Sequence, residues 1–244
     1  MRDYVMNEGA GGAVRLGLIV LSTDTTLEHE ARSVLQGRDV NLMHSRINFV
    51  DAVTPETLRG MAGDMTRTAA LLPDRLTGIA YGCTSASTVI GPGEVERLVQ
   101  AAHPGVPVTN PISAVMAALG ALGARRVGMV TPYVAEVVAP MVALLGDNGF
   151  DVVREVSFGE GDDTKVARIS EASTREALLE AAEAEGVEAL FASCTNLQTF
   201  GIIEQVEAET GVPVISSNHA MLWHLLKLAG VEAKGWGPGR LYQL

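Results

Sequence analysis

Apolar and polar positions alternate along this chain in two rhythms. Short apolar runs, of the length and composition of buried parallel strands, occur at 16–21, 40–50, 78–81, 106–108, 126–131, 150–158, 189–192 and 212–215. Between them lie stretches with apolar residues three and four apart, the helical spacing: 27–35, 54–72, 94–103, 112–122, 134–148, 173–185, 202–210 and 220–229. Punctuation agrees with the rhythm. Thr54-Pro55 supplies a cap and a proline at the first helical position, and Ser173-Thr174-Arg175-Glu176 reads as a capping box. Gly149 and Gly186 stop the helices before them. Strands alternating with helices predict an α/β fold of parallel sheets with helices on both faces. Residues 1–13, with Gly9, Gly11 and Gly12 and no period, read as a mobile tail.

The pattern also repeats at long range. Arg15-Leu16-Gly17-Leu18-Ile19-Val20 returns as Arg126-Val127-Gly128-Met129-Val130-Thr131, and Tyr81-Gly82-Cys83-Thr84-Ser85 returns as Ala192-Ser193-Cys194-Thr195-Asn196. Both pairs are 111 positions apart. Val106-Pro107-Val108 and Val212-Pro213-Val214 recur at 106, a small drift in length. A repeat of this size is a duplicated lobe. The expected division is a first lobe over 14–115 and its duplicate over 124–217, with helix 219–230 packing back on the first. Two such lobes facing each other place Cys83 and Cys194 on opposite walls of one narrow gap.

Composition narrows the function. The chain has 244 residues, 47% of them hydrophobic, with 26 glycines to serve tight strand–helix turns. A formal charge of −11 argues against nucleic acid as a partner. It also means that an anionic ligand must be drawn by local features, against the global field. Two cysteines, no signal peptide and no apolar run near the length of a membrane span predict a cytoplasmic protein with reduced thiols and no membrane partner.

The chemistry converges on the carboxyl ends of the strands, where open α/β sheets hold their ligands. Each cysteine is expected at a strand-to-helix turn, where helix-end N–H groups lower a thiol pKa and bind carboxylates. Beside them stand Thr84, Ser85, Thr195 and Asn196 as hydrogen-bond donors, and Asp24 and Thr25 occupy the first loop. Two thiols flanking one carbon can remove a proton from one face and return it to the other. The same pair can add to a double bond and let it rotate. Gly91-Pro92-Gly93 is no phosphate-binding fingerprint, and His219 and His224 are poorly spaced for a metal. Neither a cofactor nor a metal is expected.

From Arg15 to Gly230 the chain resembles the aspartate/glutamate racemase superfamily. Within it the likeness is to the branch of maleate cis-trans isomerases, arylmalonate decarboxylases and ectoine-utilisation proteins. The residues that carry it are Tyr81-Gly82-Cys83-Thr84-Ser85, Ser193-Cys194-Thr195-Asn196 and Leu18-Ile19-Val20-Leu21-Ser22-Thr23-Asp24. Ser216 to His224 looks most like the ectoine-utilisation group. The resemblance implies a homo-oligomeric, cofactor-independent isomerase or racemase of a small carboxylate or amino-acid-like substrate. Cys83 falls on the nucleophilic cysteine, Cys194 on the proton-exchanging one, and Tyr133 on a tyrosine that touches a substrate carboxylate. Asp24 departs from the isomerases' asparagine, which points away from maleate itself and toward an amine-bearing substrate. Asp162-Asp163-Thr164 stands near their second asparagine. The alternatives are a decarboxylase of a malonate-like acid with Cys194 as proton donor, and a small-acid-binding protein without turnover.

Overall fold

A computed structural model describes residues 1–7, 12–50 and 52–244. Gly9 and Gly11 of the expected tail lie outside these residues, and residues 1–7 carry no regular structure and are exposed. The first half of the chain runs β1 (Val14–Leu21), α1 (Leu27–Leu35), β2 (Val40–Ile47), α2 (Pro55–Gly60), α3 (Ala62–Ala69), β3 (Gly78–Gly82), α4 (Thr84–Ile90), α5 (Pro92–Gln100), β4 (Val108–Thr109) and α6 (Pro111–Leu122). The second half runs β5 (Arg126–Thr131), α7 (Ala135–Asp147), β6 (Asp151–Ser157), α8 (Asp163–Val166), α9 (Glu171–Ala182), β7 (Ala189–Ala192), α10 (Ile203–Thr210), β8 (Val214–Ser216) and α11 (Ser217–Leu228), with a final 3₁₀ turn, Arg240–Gln243.

Two four-stranded sheets result, ordered β2-β1-β3-β4 and β6-β5-β7-β8, and every pairing in both is parallel. The repeat in sequence is thus a repeat in topology. In the first sheet Leu16 pairs with Gly78 and Gly17 with Ile79, so successive positions face opposite sides. A Cβ on Gly78 would meet Leu225 of α11 at 3.1 Å, and one on Gly17 would meet Leu72, just after α3, at 2.8 Å. Helices therefore cover both faces, and glycines let them approach closely. Both central strands are buried throughout their apolar stretch, as parallel strands covered on both sides must be.

Local departures from the sequence pattern have local causes. The expected helix over 54–72 is broken at Met61 into α2 and α3. The first segment is fixed by a Thr54–Thr57 capping box and the second begins without a side-chain cap. The cap of α9 is Ser170, whose Oγ accepts the N–H of Ser173 at 3.2 Å, so Ser173 sits inside the helix and is not its cap. An isolated antiparallel bridge joins Ala52 to Asp162, and the Val53 N–H donates to Gly161 O at 2.9 Å. This stitch links the loops that follow β2 and β6, at the carboxyl ends of the two edge strands.

Candidate active site

β3 delivers Cys83 as the N-cap of α4, with extended backbone (φ −152°, ψ 115°), and its Sγ accepts the Ala86 N–H at 3.4 Å. β7 delivers Cys194, and the next helix, α10, starts at Ile203 close to its expected place, so this cysteine does not sit at a strand-to-helix turn as Cys83 does. The intervening loop is tethered across the lobes: Thr199 and Phe200 give their N–H groups to the Glu30 carboxylate at 2.9 and 3.1 Å. Cys194 Sγ accepts one N–H, from Asn196 at 3.3 Å, and lies 3.1 Å from the Tyr133 hydroxyl.

Tyr133 connects this sulfur to a carboxylate. Its hydroxyl donates to Asp163 Oδ1 at 3.3 Å, while Asp163 Oδ2 accepts from Thr23 Oγ1 at 2.6 Å and Asn196 Nδ2 at 3.2 Å. Asn196 is fully buried and joins the lobes. Its Oδ1 accepts the Thr25 N–H at 3.0 Å, and its carbonyl accepts from Thr26 Oγ1 at 3.0 Å. Asp24 Oδ1 accepts the N–H groups of Thr26 and Leu27, both at 2.9 Å, and so holds the start of α1. Its Oδ2 is buried and makes no hydrogen bond. The nearby Thr195 hydroxyl donates instead to Gly82 O at 3.4 Å. Ser85 Oγ is likewise buried without a partner.

The electrostatics differ from the expected lowering of a thiol pKa at a helix end. Burial pushes the Cys83 thiol up to about 12, and the charges of Asp163 and Asp24 push the same way against the Ala86 and Ser85 N–H groups. Burial also raises Cys194 well above its ordinary value, followed by Asp163, with Tyr133 and the Asn196 N–H opposing. The few long N–H···S contacts at each sulfur do not offset a desolvated thiolate. Asp24 is raised to about 7 by burial, opposed by the N–H groups it accepts, and Asp163 is raised as well, again chiefly by burial. Both cysteines are free, protonated thiols at neutral pH.

The candidates from the sequence are thus only partly gathered. Cys83, Cys194, Tyr133 and Asp24 share one buried cluster: Asp24 and Asp163 act on both sulfurs, and both sulfurs act on Tyr133. Thr25 contributes its backbone N–H while its side chain is exposed, and Thr84 gives its hydroxyl to Ser217 Oγ at 2.7 Å. The expected narrow gap is shut. Cys83 and Cys194 are 5% and 3% exposed, and open surface cavities of about 580 and 340 Å³ lie elsewhere, between α1 and β2 and beside α11. The Ala52–Asp162 bridge, one residue from Asp163, ties the lobes together beside the cluster.

Two contributors escape a reading of the sequence alone, Glu30 on an ordinary helix and Asn218 at a strand end, whereas Asp163 lies in the Asp162-Asp163-Thr164 run already placed near the isomerases' second asparagine. Yet Asn218 Nδ2 bridges Glu30 Oε2 and Thr195 O, both at 2.7 Å, so two side chains and a backbone carbonyl brace the loop after Cys194. The useful signal was chemical: Glu30 is 4% exposed in a helix whose other buried side chains are apolar.

Comparison with known proteins agrees with this architecture. A maleate isomerase from Nocardia farcinica is 29% identical over 242 residues, covering 94% of this chain and 96% of that protein. A solved cysteine-to-serine mutant of the Nocardia farcinica maleate cis-trans isomerase, with a covalently bound succinylcysteine intermediate, superposes with a TM-score of 0.85. It is 27% identical and covers 94% of this chain and 98% of its own. The arylmalonate decarboxylase of Bordetella bronchiseptica is 35% identical over 140 residues, 57% of this chain and 58% of that protein. The arylmalonate decarboxylase family profile matches residues 16–242, nearly the whole described fold, and the chain belongs to that family.

Proposed function

We propose that this chain is a cofactor-independent isomerase of a small carboxylic acid, with Cys83 and Cys194 as its two reacting groups. The observation that carries the reading is the single buried cluster into which both thiols project from matching strands of the two sheets. In the cis-trans form of the reaction, Cys83 Sγ as thiolate bonds to one alkene carbon. The π electron pair moves to the neighbouring carbon and its carboxylate as an enediolate, which the Cys194 thiol protonates. The former double bond turns as a single bond. Cys194 then takes the proton back, and the C–S bond breaks to return the thiolate. In the racemising form the two sulfurs instead exchange a proton at opposite faces of one carbon.

Two features of the resting site define what a substrate must change. With a Cys83 pKa of about 12, ionising the thiol at pH 8 costs about 5 kcal/mol. Ligand contacts that favour the thiolate have to offset that cost. Entry requires the surrounding loops to move, because Cys83 and Cys194 are 5% and 3% exposed.

A lyase is the second reading, supported by the family profile and the Bordetella relative. There Cys194 alone protonates an enediolate left by loss of carbon dioxide. Turnover of Cys83→Ala and Cys194→Ala separates the two. An isomerase loses activity in both variants. A decarboxylase of malonate-type acids survives loss of Cys83 and stops with loss of Cys194.

A further inference from the structure

Resting on that reading, the geometry points to a substrate that carries, besides its carboxylate, a protonated nitrogen received by Asp24. Asp24 is 1% exposed, and its Oδ2 is buried with no hydrogen bond although its Oδ1 has two. An orphaned buried carboxylate oxygen carries a desolvation cost that a donor from the ligand would remove. Ser85, whose N–H faces Cys83, also has an unpartnered buried Oγ, a hydroxyl able to donate to a carboxylate. The two orphans thus differ, one accepting only and the other able to donate.

The groups facing Asp24 strengthen the assignment. Asp163 from α8 and the thiols of Cys83 and Cys194 add negative charge or the capacity for it, whereas the Thr195 hydroxyl, a neutral donor beside Asp24 that donates to Gly82 O at 3.4 Å, favours its ionised form. Arg46 of β2 reaches the Asp24 carbonyl, not its carboxylate, at 3.0 Å and is paired with Glu28 of α1. A dianion would bring two more charges beside two carboxylates and a thiolate that must form. A protonated nitrogen there would instead draw the Cys83 pKa downward, toward the ionised nucleophile.

Succinate and aspartate share a four-carbon diacid skeleton and differ by the ammonium group, so their binding to the full chain, measured by calorimetry between pH 6.5 and 8.5, reads the inference directly. With Asp24 titrating near 7, aspartate affinity should rise about fourfold across that range while succinate affinity falls more than tenfold. Asp24→Asn should flatten both trends, weaken aspartate at least tenfold at pH 8.5 and strengthen succinate. Equal affinities at pH 8.5, tighter binding of succinate, or no binding of either overturns the assignment. The turnover of Cys83→Ala and Cys194→Ala tests the two-thiol reading separately, so either conclusion can fail while the other stands.

Discussion

Asp163→Asn should make Cys194 a better nucleophile. The Tyr133 hydroxyl has one proton and two claimants, Asp163 Oδ1 at 3.3 Å and Cys194 Sγ at 3.1 Å. While Asp163 is ionised it accepts that proton, and the sulfur is left beside a negative charge no more than 6.4 Å away, the two bond lengths through the hydroxyl laid end to end. At an effective dielectric constant of about 20, a pair of unit charges at that distance interacts by about 3 kcal/mol, or about 2 pK units. An asparagine can keep its carbonyl toward Thr23 and Asn196 and turn its amide toward Tyr133, freeing the phenolic proton for the sulfur. Both changes lower the Cys194 pKa. A hundredfold larger thiolate fraction is partly offset by weaker intrinsic nucleophilicity, with a Brønsted slope of about 0.4–0.5, so the net gain in alkylation is about tenfold. The assay is iodoacetamide labelling of Cys194 in a Cys83→Ala background at pH 8 to 9, with and without Asp163→Asn. Unchanged or slower labelling refutes the charge coupling.

Further outcomes follow from the same cluster. Tyr133→Phe removes a hydroxyl bonded to both a carboxylate and a sulfur, worth about 1.5–3 kcal/mol in the transition state, so steady-state kcat/KM should fall roughly tenfold to hundredfold. Stability should decline with rising pH. Asp24 and Glu30 both titrate near 7 in the folded protein and near 4 when unfolded, so the native state binds more protons and loses stability as pH climbs through 7. The two together amount to about 1.5 kcal/mol between pH 6.5 and 8 by urea denaturation, and Glu30→Gln should remove about half of that slope.

Much of this architecture is written locally in the chain. The eight apolar runs, the 111-residue echo and the paired Cys-Thr steps depend on neighbours in sequence, and each is realised as a strand or a strand end. What sequence hides is contact across the lobes. Thr23 and Asp163 are 140 positions apart, and Glu30 and Asn218 are 188 apart, so nothing near either residue tells which partner it meets. The thiol environment was hidden for the same reason. Cap geometry at Cys83 is a local property, whereas the burial that outweighs it is tertiary, and the Asp163 charge that adds to it comes from the other half of the chain. The loop after Cys194 shows this plainly, because a carboxylate about 170 positions away collects two of its N–H groups.

The central claim is that Cys83 bonds to substrate carbon while Cys194 handles the proton on the other side. Intact and peptide mass spectrometry of Cys194→Ser after incubation with maleate, with and without Asp24→Asn, tests it most directly. The account predicts a succinyl adduct confined to Cys83, accumulating faster where Asp24 is replaced. Absence of an adduct at Cys83 in both proteins, or its appearance on any other residue, contradicts it.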